Sequence, residues 1–380
     1  VDFDKRPILV FWETTRACGL ACRHCRACAV TEAPPGELTA DEGQRLLEQL
    51  TGFGMPRPVL VATGGDVLMR ADLDSLATRA AQLRLPLAIA PSVTPLLTAE
   101  RVEQLHRLGV RVASISLDGA CAVVHDGIRG VTGHFEHTLA AIALLRKAGI
   151  TVQVNTVVTS QTLDELPTIL RLAREAGAKI WELFFLVRTG RGSDLAELDA
   201  GVCEQVCHFL VDASRYGLIV RTVEAPFFRR VVAEREAGSA PSGPIYAALS
   251  AKLLEELGPP SGAPRAQTKG TRDGRGVIFV GHDGSITPSG FLPLELGNVR
   301  EDDIVSVYRD HPLLRKIRAA EFEGRCGACS WRDLCGGSRA RAFAAHGDPL
   351  AEDPCCAYRP PRAPRGRVIR GREPAGEHAA

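Results

Sequence analysis

Between residues 8 and about 187, short apolar, β-branched runs alternate with amphipathic stretches, and that rhythm leaves few folds open. The expected strands cover 8–13, 59–62, 86–90, 112–117, 151–158 and 180–187. Helical periodicity fills the gaps, as in 39–50, 73–83, 99–108 and 135–148. Thr39 with Glu42 three positions later forms a capping box, which marks a helix start. Consecutive βα units require a parallel sheet with right-handed crossovers, and they gather functional loops at the strands' C-terminal ends. Six such units are too few to close an eight-stranded barrel. The expected class is therefore α/β, with a partial (βα)6 barrel.

Beyond residue 190 the pattern turns mostly helical, over 200–216, 225–237 and 245–257. The stretch 258–276 is rich in Pro, Gly, Arg and Ser and reads as a mobile loop or linker. Val277-Ile278-Phe279-Val280, a Gly-His-Asp-Gly turn and Ser285-Ile286-Thr287 then spell a hairpin. A cysteine-rich module follows over about 324–358. The expected domains are a barrel over 1–220, a helical connector and linker over 221–275, a small module over 276–358, and a disordered basic tail over 359–380.

Formal net charge is +1, which removes any global argument for nucleic acid or an anionic membrane as partner. No apolar run reaches the roughly 20 residues of a membrane-spanning helix, and the start, Val-Asp-Phe-Asp-Lys-Arg, lacks a signal-peptide core. A cytoplasmic location is expected. Twelve cysteines in such a chain read as metal ligands or redox groups before disulfides. Cys121, Cys203 and Cys207 stand apart from the clusters and read as small buried apolar residues.

Cys18, Cys22 and Cys25 follow the first strand in the spacing Cys-x3-Cys-x2-Cys. A cubane iron–sulfur cluster has four irons, so three thiolates leave one iron open to a non-protein ligand. A structural zinc site, with Cys28 or His24 as fourth ligand, is the competing reading. Thr63-Gly64-Gly65-Asp66 ends the second strand, where paired glycines let carbonyls approach a ligand and Asp66 adds negative charge. Ser116-Leu117-Asp118-Gly119 ends the fourth strand, and Asn155 lies in the fifth. A second set, Cys326-x2-Cys329-x5-Cys335-x19-Cys355, supplies four thiolates, enough for a closed [4Fe–4S] cluster or an all-cysteine zinc site; Cys356 is an alternative to Cys355.

These motifs resemble the radical S-adenosylmethionine enzymes, over residues 1–358. The resemblance implies a [4Fe–4S] cluster on Cys18, Cys22 and Cys25 whose fourth iron chelates S-adenosylmethionine. Reduction then releases methionine and a 5′-deoxyadenosyl radical, while the protein positions and shields both. It implies that Gly64, Gly65 and Asp66 hold the methionine amino group, and that Ser116 and Asn155 lie near ribose and carboxylate. Arg129, in His125-Asp126-Gly127-Ile128-Arg129-Gly130, is implied to face the methionine carboxylate, a task its bidentate fork suits. Departures are Asp66 where glutamate is commoner, Val67 where proline is usual, and His24 where many relatives carry an aromatic.

The stretch from Cys326 to Ala342, with Gly297-Asn298-Val299-Arg300 upstream, resembles the SPASM or twitch module that carries auxiliary clusters. Ser289 stands where fuller modules place another cysteine, so one auxiliary cluster is expected, making two [4Fe–4S] clusters in all. Trp12-Glu13-Thr14-Thr15-Arg16, His24-Cys25-Arg26-Ala27 and Asp353-Pro354-Cys355 resemble the branch acting on tetrapyrroles in haem and haem d1 biosynthesis. That branch implies radical attack on porphyrin propionates and a flavodoxin- or ferredoxin-type electron donor. Arg188 and Arg191, just beyond the sixth strand, read either as binders of such carboxylates or as surface loop residues. A maturase of ribosomally made peptides is the alternative, and a non-catalytic iron–sulfur electron carrier a second one. No general acid or base is assigned from the sequence; His125 and Asp126 are candidates that also read as structural loop residues.

Overall fold

The computed structural model describes residues 2–267 and 270–360; all of the expected tail from 361 onward lies outside this range. Seven parallel strands follow one another in chain order: β1 (Leu9–Thr15), β2 (Val59–Gly64), β3 (Leu87–Ile89), β4 (Val112–Ser116), β5 (Thr151–Val158), β6 (Ile180–Phe185) and β7 (Ile219–Val223). Helices on the outer face connect them: α1 (Ala40–Thr51), α2 (Leu73–Gln82), α3 (Ala99–Arg107), α4 (Ala122–Arg129), α5 (His134–Lys147), α6 (Leu166–Glu175) and α7 (Ala200–Ala213). Thr39 caps α1 with the full reciprocal box to Glu42. Two further helices, α8 (Phe228–Glu236) and α9 (Pro244–Leu257), follow β7.

Two features differ from the sequence expectation. A seventh strand, β7, extends the parallel array beyond β6 within a stretch that reads as helical. The hairpin β8 (Val277–Val280) and β9 (Ser285–Thr287), with β10 (Gly297–Asn298), also continues the same sheet. Its strand β8 lies parallel to β1, so the order is β10-β9-β8-β1-β2-β3-β4-β5-β6-β7. The sheet is mixed and open. Beyond it lie α10 (Ile304–Asp310), α11 (Pro312–Arg318), the short turn α12 (Gly324–Gly327) and α13 (Arg339–His346).

The strand period of two divides each strand between a core and a cavity. On β1, Val10 and Trp12 are buried against α1, whereas Leu9 and Phe11 face the cavity. On β8, Ile278 and Val280 join that same core while Val277 and Phe279 face inward. Ser114 and Ser116 on β4, Gln153 and Asn155 on β5, and Glu182 and Phe184 on β6 complete a mostly polar inner wall. Their alternates, Ala113, Ile115, Val152, Val154, Trp181 and Leu183, are fully or nearly fully buried under the helices. Cys203 and Cys207 are buried as expected, but Cys121 is exposed because it sits at the N-cap of α4.

Candidate active site

The loop after β1 carries Cys18, Cys22 and Cys25, and all three line a cavity of about 390 Å³ at the strands' C-terminal ends. The loop is closed at its base by Cys18 N donating to Val30 O at 2.7 Å and Val30 N to Arg16 O at 3.0 Å. Two arginines clamp its carbonyls. Arg16 donates to Ala27 O and Cys28 O, each at 3.0 Å. Arg191 donates through Nε to Cys22 O at 2.9 Å and through Nη1 to Ala29 O at 3.0 Å. Gly190 makes that approach possible, since a Cβ there would stand 2.3 Å from Arg26 O. Donors also reach the sulfurs: Leu20 N lies 3.4 Å from Cys18 Sγ, and Arg129 Nη1 lies 3.5 Å from Cys22 Sγ.

Gly64 and Gly65 line the cavity, but their lack of a side chain serves the backbone. A Cβ on Gly64 would fall 2.2 Å from Thr15 O, and one on Gly65 2.2 Å from Ala17 O. The end of β2 is thereby pressed onto the cysteine loop, with Gly65 N and Asp66 N donating to Thr15 O and Ala17 O at 2.7 Å. Asp66 is fully buried and is absent from the cavity lining. Its carboxylate accepts from Leu68 N, Ser92 N and Thr94 Oγ1, bracing the loop that brings Ser92 Oγ within 3.4 Å of Cys18 Sγ. Burial pushes its carboxyl up, against those hydrogen bonds. The expected free negative charge is therefore a brace beneath the site.

Ser116, Arg129 and Asn155 all line the cavity. Arg129 is buried in an ion pair with Asp118, whose other oxygen accepts from Val157 N at 2.7 Å. Burial raises the Asp118 carboxyl, but the Arg129 and His24 charges outweigh it and hold the group below the usual range. Asp118 is a site residue that sequence reasoning passed over, although it stands in the quoted Ser-Leu-Asp-Gly motif. Four nitrogens of cavity-lining residues, His24 Nδ1, Arg129 Nε, His134 Nε2 and Arg272 Nε, are buried without a hydrogen-bond partner. His125 is fully buried, accepting from Asp118 N at 3.0 Å and contacting His134 at 2.8 Å. Asp126 accepts from Gly133 N and Phe135 N. Both lie in α4, not in a loop, and their side chains are taken up by these contacts.

A second pocket holds Cys326, Cys329, Cys335 and Cys356. Three of these sulfurs already accept N–H donors at 3.4 Å: Cys326 from Asp353 N, Cys329 from Trp331 N and Cys335 from Gly337 N. Cys355, the expected fourth member, points away and lies 3.2 Å from Cys203 Sγ. Cys356 lines the pocket and Cys355 does not, and sequence alone carries no sign of which of the two faces it.

Residues 12–173 match the model of the Radical SAM superfamily. The chain is 36% identical over 362 residues to the AdoMet-dependent heme synthase of Methanosarcina barkeri, covering 95% of this chain and 99% of that relative. The chain belongs to the radical SAM superfamily. It is also 31% identical over 366 residues to the pre-heme d1 synthase of Dinoroseobacter shibae, covering 92% and 86% of the two chains. In fold alone, it is similar to Streptococcus suis SuiB bound to the precursor peptide SuiA, with a TM-score of 0.69 at 17% identity over 93% of this chain and 76% of that one.

Radical SAM enzymes work with a [4Fe–4S] cluster and S-adenosylmethionine, and the residues present fit both. Three thiols open onto one cavity with N–H donors aimed at two of them, and burial pushes the Cys18 thiol up against its donors. The unpartnered nitrogens on Arg129 and His134 leave hydrogen-bonding capacity free on residues of the cavity wall. Among the described residues no three His, Cys, Asp or Glu side chains converge on one point as a single-ion site, so the fit rests on cavity and donors. Cys28 is absent from the cavity lining, whereas His24 is present, its imidazole 3.7 Å from Asp118 and pushed down by burial to about 4.

Arg188 and Arg191 do not line the cavity. Arg188 is exposed and donates to Ser193 O, while the Arg191 guanidinium is committed to the cysteine loop. The arginines that do line it are Arg26, Arg129, Arg229 and Arg272. Arg26 pairs with Glu13 and stacks 4.7 Å from the Phe279 ring centroid. Arg229 and Arg272 donate to the Cys335 carbonyl and so stand between the two cysteine sets; burial pushes them down to about 10 and about 9. No local motif marks these positions, because their neighbours on the cavity wall are distant in sequence.

Proposed function

We propose that this chain tailors the side chains of a tetrapyrrole. One hydrogen atom is taken from a propionate group, its carboxylate leaves as carbon dioxide, the remaining electron passes to a one-electron acceptor such as an iron–sulfur centre, and a vinyl group is left. Cys18, Cys22 and Cys25 would hold the cluster with the open iron, and Cys326, Cys329, Cys335 and Cys356 the closed one. When bound, the first cluster and S-adenosylmethionine supply a 5′-deoxyadenosyl radical. The chain's own part is to clamp the cysteine loop from Arg16 and Arg191, to line the cosubstrate side with Gly64, Gly65, Ser116, Asn155 and Arg129, and to offer Arg26, Arg229 and Arg272 as cations for substrate carboxylates.

The observation that carries this reading is 36% identity running through 95% of the chain and 99% of a relative named AdoMet-dependent heme synthase. A small iron–sulfur or flavin protein is the proposed reductant, and the cytoplasm the proposed location. Among the described residues no helix is long and apolar enough to cross a membrane. A peptide substrate is the second reading, supported by the fold shared with peptide-bound SuiB.

The test is anaerobic turnover of the reconstituted protein with reductant, S-adenosylmethionine and iron-coproporphyrin. Loss of carbon dioxide from the porphyrin by mass spectrometry, together with 5′-deoxyadenosine, is the expected result. Cosubstrate cleavage with no porphyrin mass change would transfer the argument to a peptide.

A further inference from the structure

Two thiols sit together outside both cysteine pockets. Cys203 on α7 and Cys355 in the C-terminal segment have sulfurs 3.2 Å apart, although 152 positions separate them in sequence. Their residues are 3% and 6% exposed, and neither lines the pocket formed by Cys326, Cys329, Cys335 and Cys356. The Leu198 carbonyl lies 3.8 Å from each sulfur. Each sulfur therefore has the other as its closest reactive neighbour.

We propose that Cys203 and Cys355 form a redox site, a dithiol that peroxide converts to a disulfide joining α7 to the segment that presents Cys356. The step balances as a two-electron oxidation. Each thiol gives up one proton and one electron, a sulfur–sulfur bond forms, the oxygen–oxygen bond of hydrogen peroxide breaks, and two waters leave. Oxidation of one cysteine gives a sulfenic acid, and a second thiol in contact resolves it to a disulfide before further, irreversible oxidation. A free cysteine buried alone has no such resolving partner. A thiol reductant reverses the reaction, which makes the site a reversible one.

Position gives the pair its consequence. Cys355 is the immediate neighbour of Cys356, so a link to α7 anchors the main chain one residue from a pocket cysteine. The segment is already tied from the other side, where Arg325 donates to Cys356 O at 3.0 Å and Ser338 N to Asp353 at 2.8 Å. The disulfide adds a covalent tether to a helix of the barrel. The inference rests on Cys356 rather than Cys355 serving the second pocket. It does not rest on the tetrapyrrole assignment, because its readout is a peptide mass.

The experiment uses the anaerobically reconstituted holoenzyme, treated with one equivalent of hydrogen peroxide. Free thiols are then alkylated, and the protein is digested and mapped without reduction. A linked peptide pairing Cys203 with Cys355 is expected, abolished by dithiothreitol and missing in Cys203→Ser. Iron content is measured in parallel, and Cys355→Ser should keep the wild-type iron and sulfide while Cys356→Ser loses one cluster. Equal alkylation of Cys203 and Cys355 before and after peroxide, with no linked peptide, would overturn the proposal. So would loss of one cluster's iron in Cys355→Ser with the first cluster intact, since that makes Cys355 a ligand.

Discussion

Replacing Arg191 by alanine asks whether the cysteine loop is held in place from the loop that follows β6. The guanidinium makes two hydrogen bonds to loop carbonyls, at 2.9 and 3.0 Å, and the variant keeps only the main-chain bond from residue 191 to Cys25 O. Charged hydrogen bonds are worth roughly 1.5–3 kcal/mol each. The side chain is only partly buried, and Cys22 O retains the Cys25 N–H, so a combined loss of about 2–4 kcal/mol is the reasonable figure. If that loss falls on loop order, the ordered fraction drops by roughly 30- to 1,000-fold relative to the disordered one. The assay is iron and sulfide content with EPR of the reduced protein, each cluster counted separately. Arg191→Ala should lose most of the first cluster and with it S-adenosylmethionine cleavage. The second cluster serves as internal control, because Arg191 touches none of its cysteines. Arg191→Lys should fall between, since one ammonium cannot bridge both carbonyls with the guanidinium's geometry. Full occupancy of both clusters and unchanged cleavage in Arg191→Ala would refute the reasoning and leave the Cys18–Val30 closure as sufficient.

Gly65→Ala places a Cβ 2.2 Å from Ala17 O, a backbone atom that cannot step aside alone, so first-cluster iron should fall while the second stays. Asp66→Asn separates a bracing role from a ligand role: an amide can keep the contacts to Leu68, Ser92 and Thr94, and the KM for S-adenosylmethionine should stay within about threefold of wild type. A much larger rise with kcat unchanged would mean that the charge itself meets the cosubstrate. His125 and His134, pushed down mainly by burial to about 3 and about 4, stay neutral in the fold while an unfolded chain protonates below about 6.5. Their stability contribution is thus intact above that pH and is lost as pH falls toward 4, by up to about 1.4 kcal/mol per unit for each histidine. Urea unfolding of the cluster-free chain at pH 7 and 5.5 should show the loss, and His125→Asn with His134→Asn should flatten it.

Much of the barrel was legible because its signals are local. Each of the first six strands is a short, largely apolar run followed by a helix, and the three cysteines fall where a βα loop must lie. The strand β7 escaped because Ile-Val-Arg-Thr-Val is short and sits between helical stretches, and only its pairing with β6 makes it a strand. The hairpin was visible, but its partner was not, since β8 meets a strand from the opposite end of the chain. The same limit governs the site. Gly64 and Gly65 announce a close approach, yet nothing nearby says that the approaching atoms belong to Thr15 and Ala17. Arg188 and Arg191 carry the right charge, and Arg191 spends it on carbonyls about 160 residues away in sequence. Cys355 and Cys356 are indistinguishable by type and spacing, so only the direction each side chain takes separates them.

The seam between β1 and β8 has a bearing on how the molecule is made. While the polypeptide emerges from the ribosome, β1 can pair with β2 early, but its other edge stays bare until Val277–Val280 has been synthesised. An uncovered strand edge invites wrong partners. The cysteine loop hangs from that half-finished strand, so the metal-binding end of the barrel reaches its final shape late in translation. The strand that carries the cysteine loop is thus flanked on both edges only once Val277–Val280 has been made.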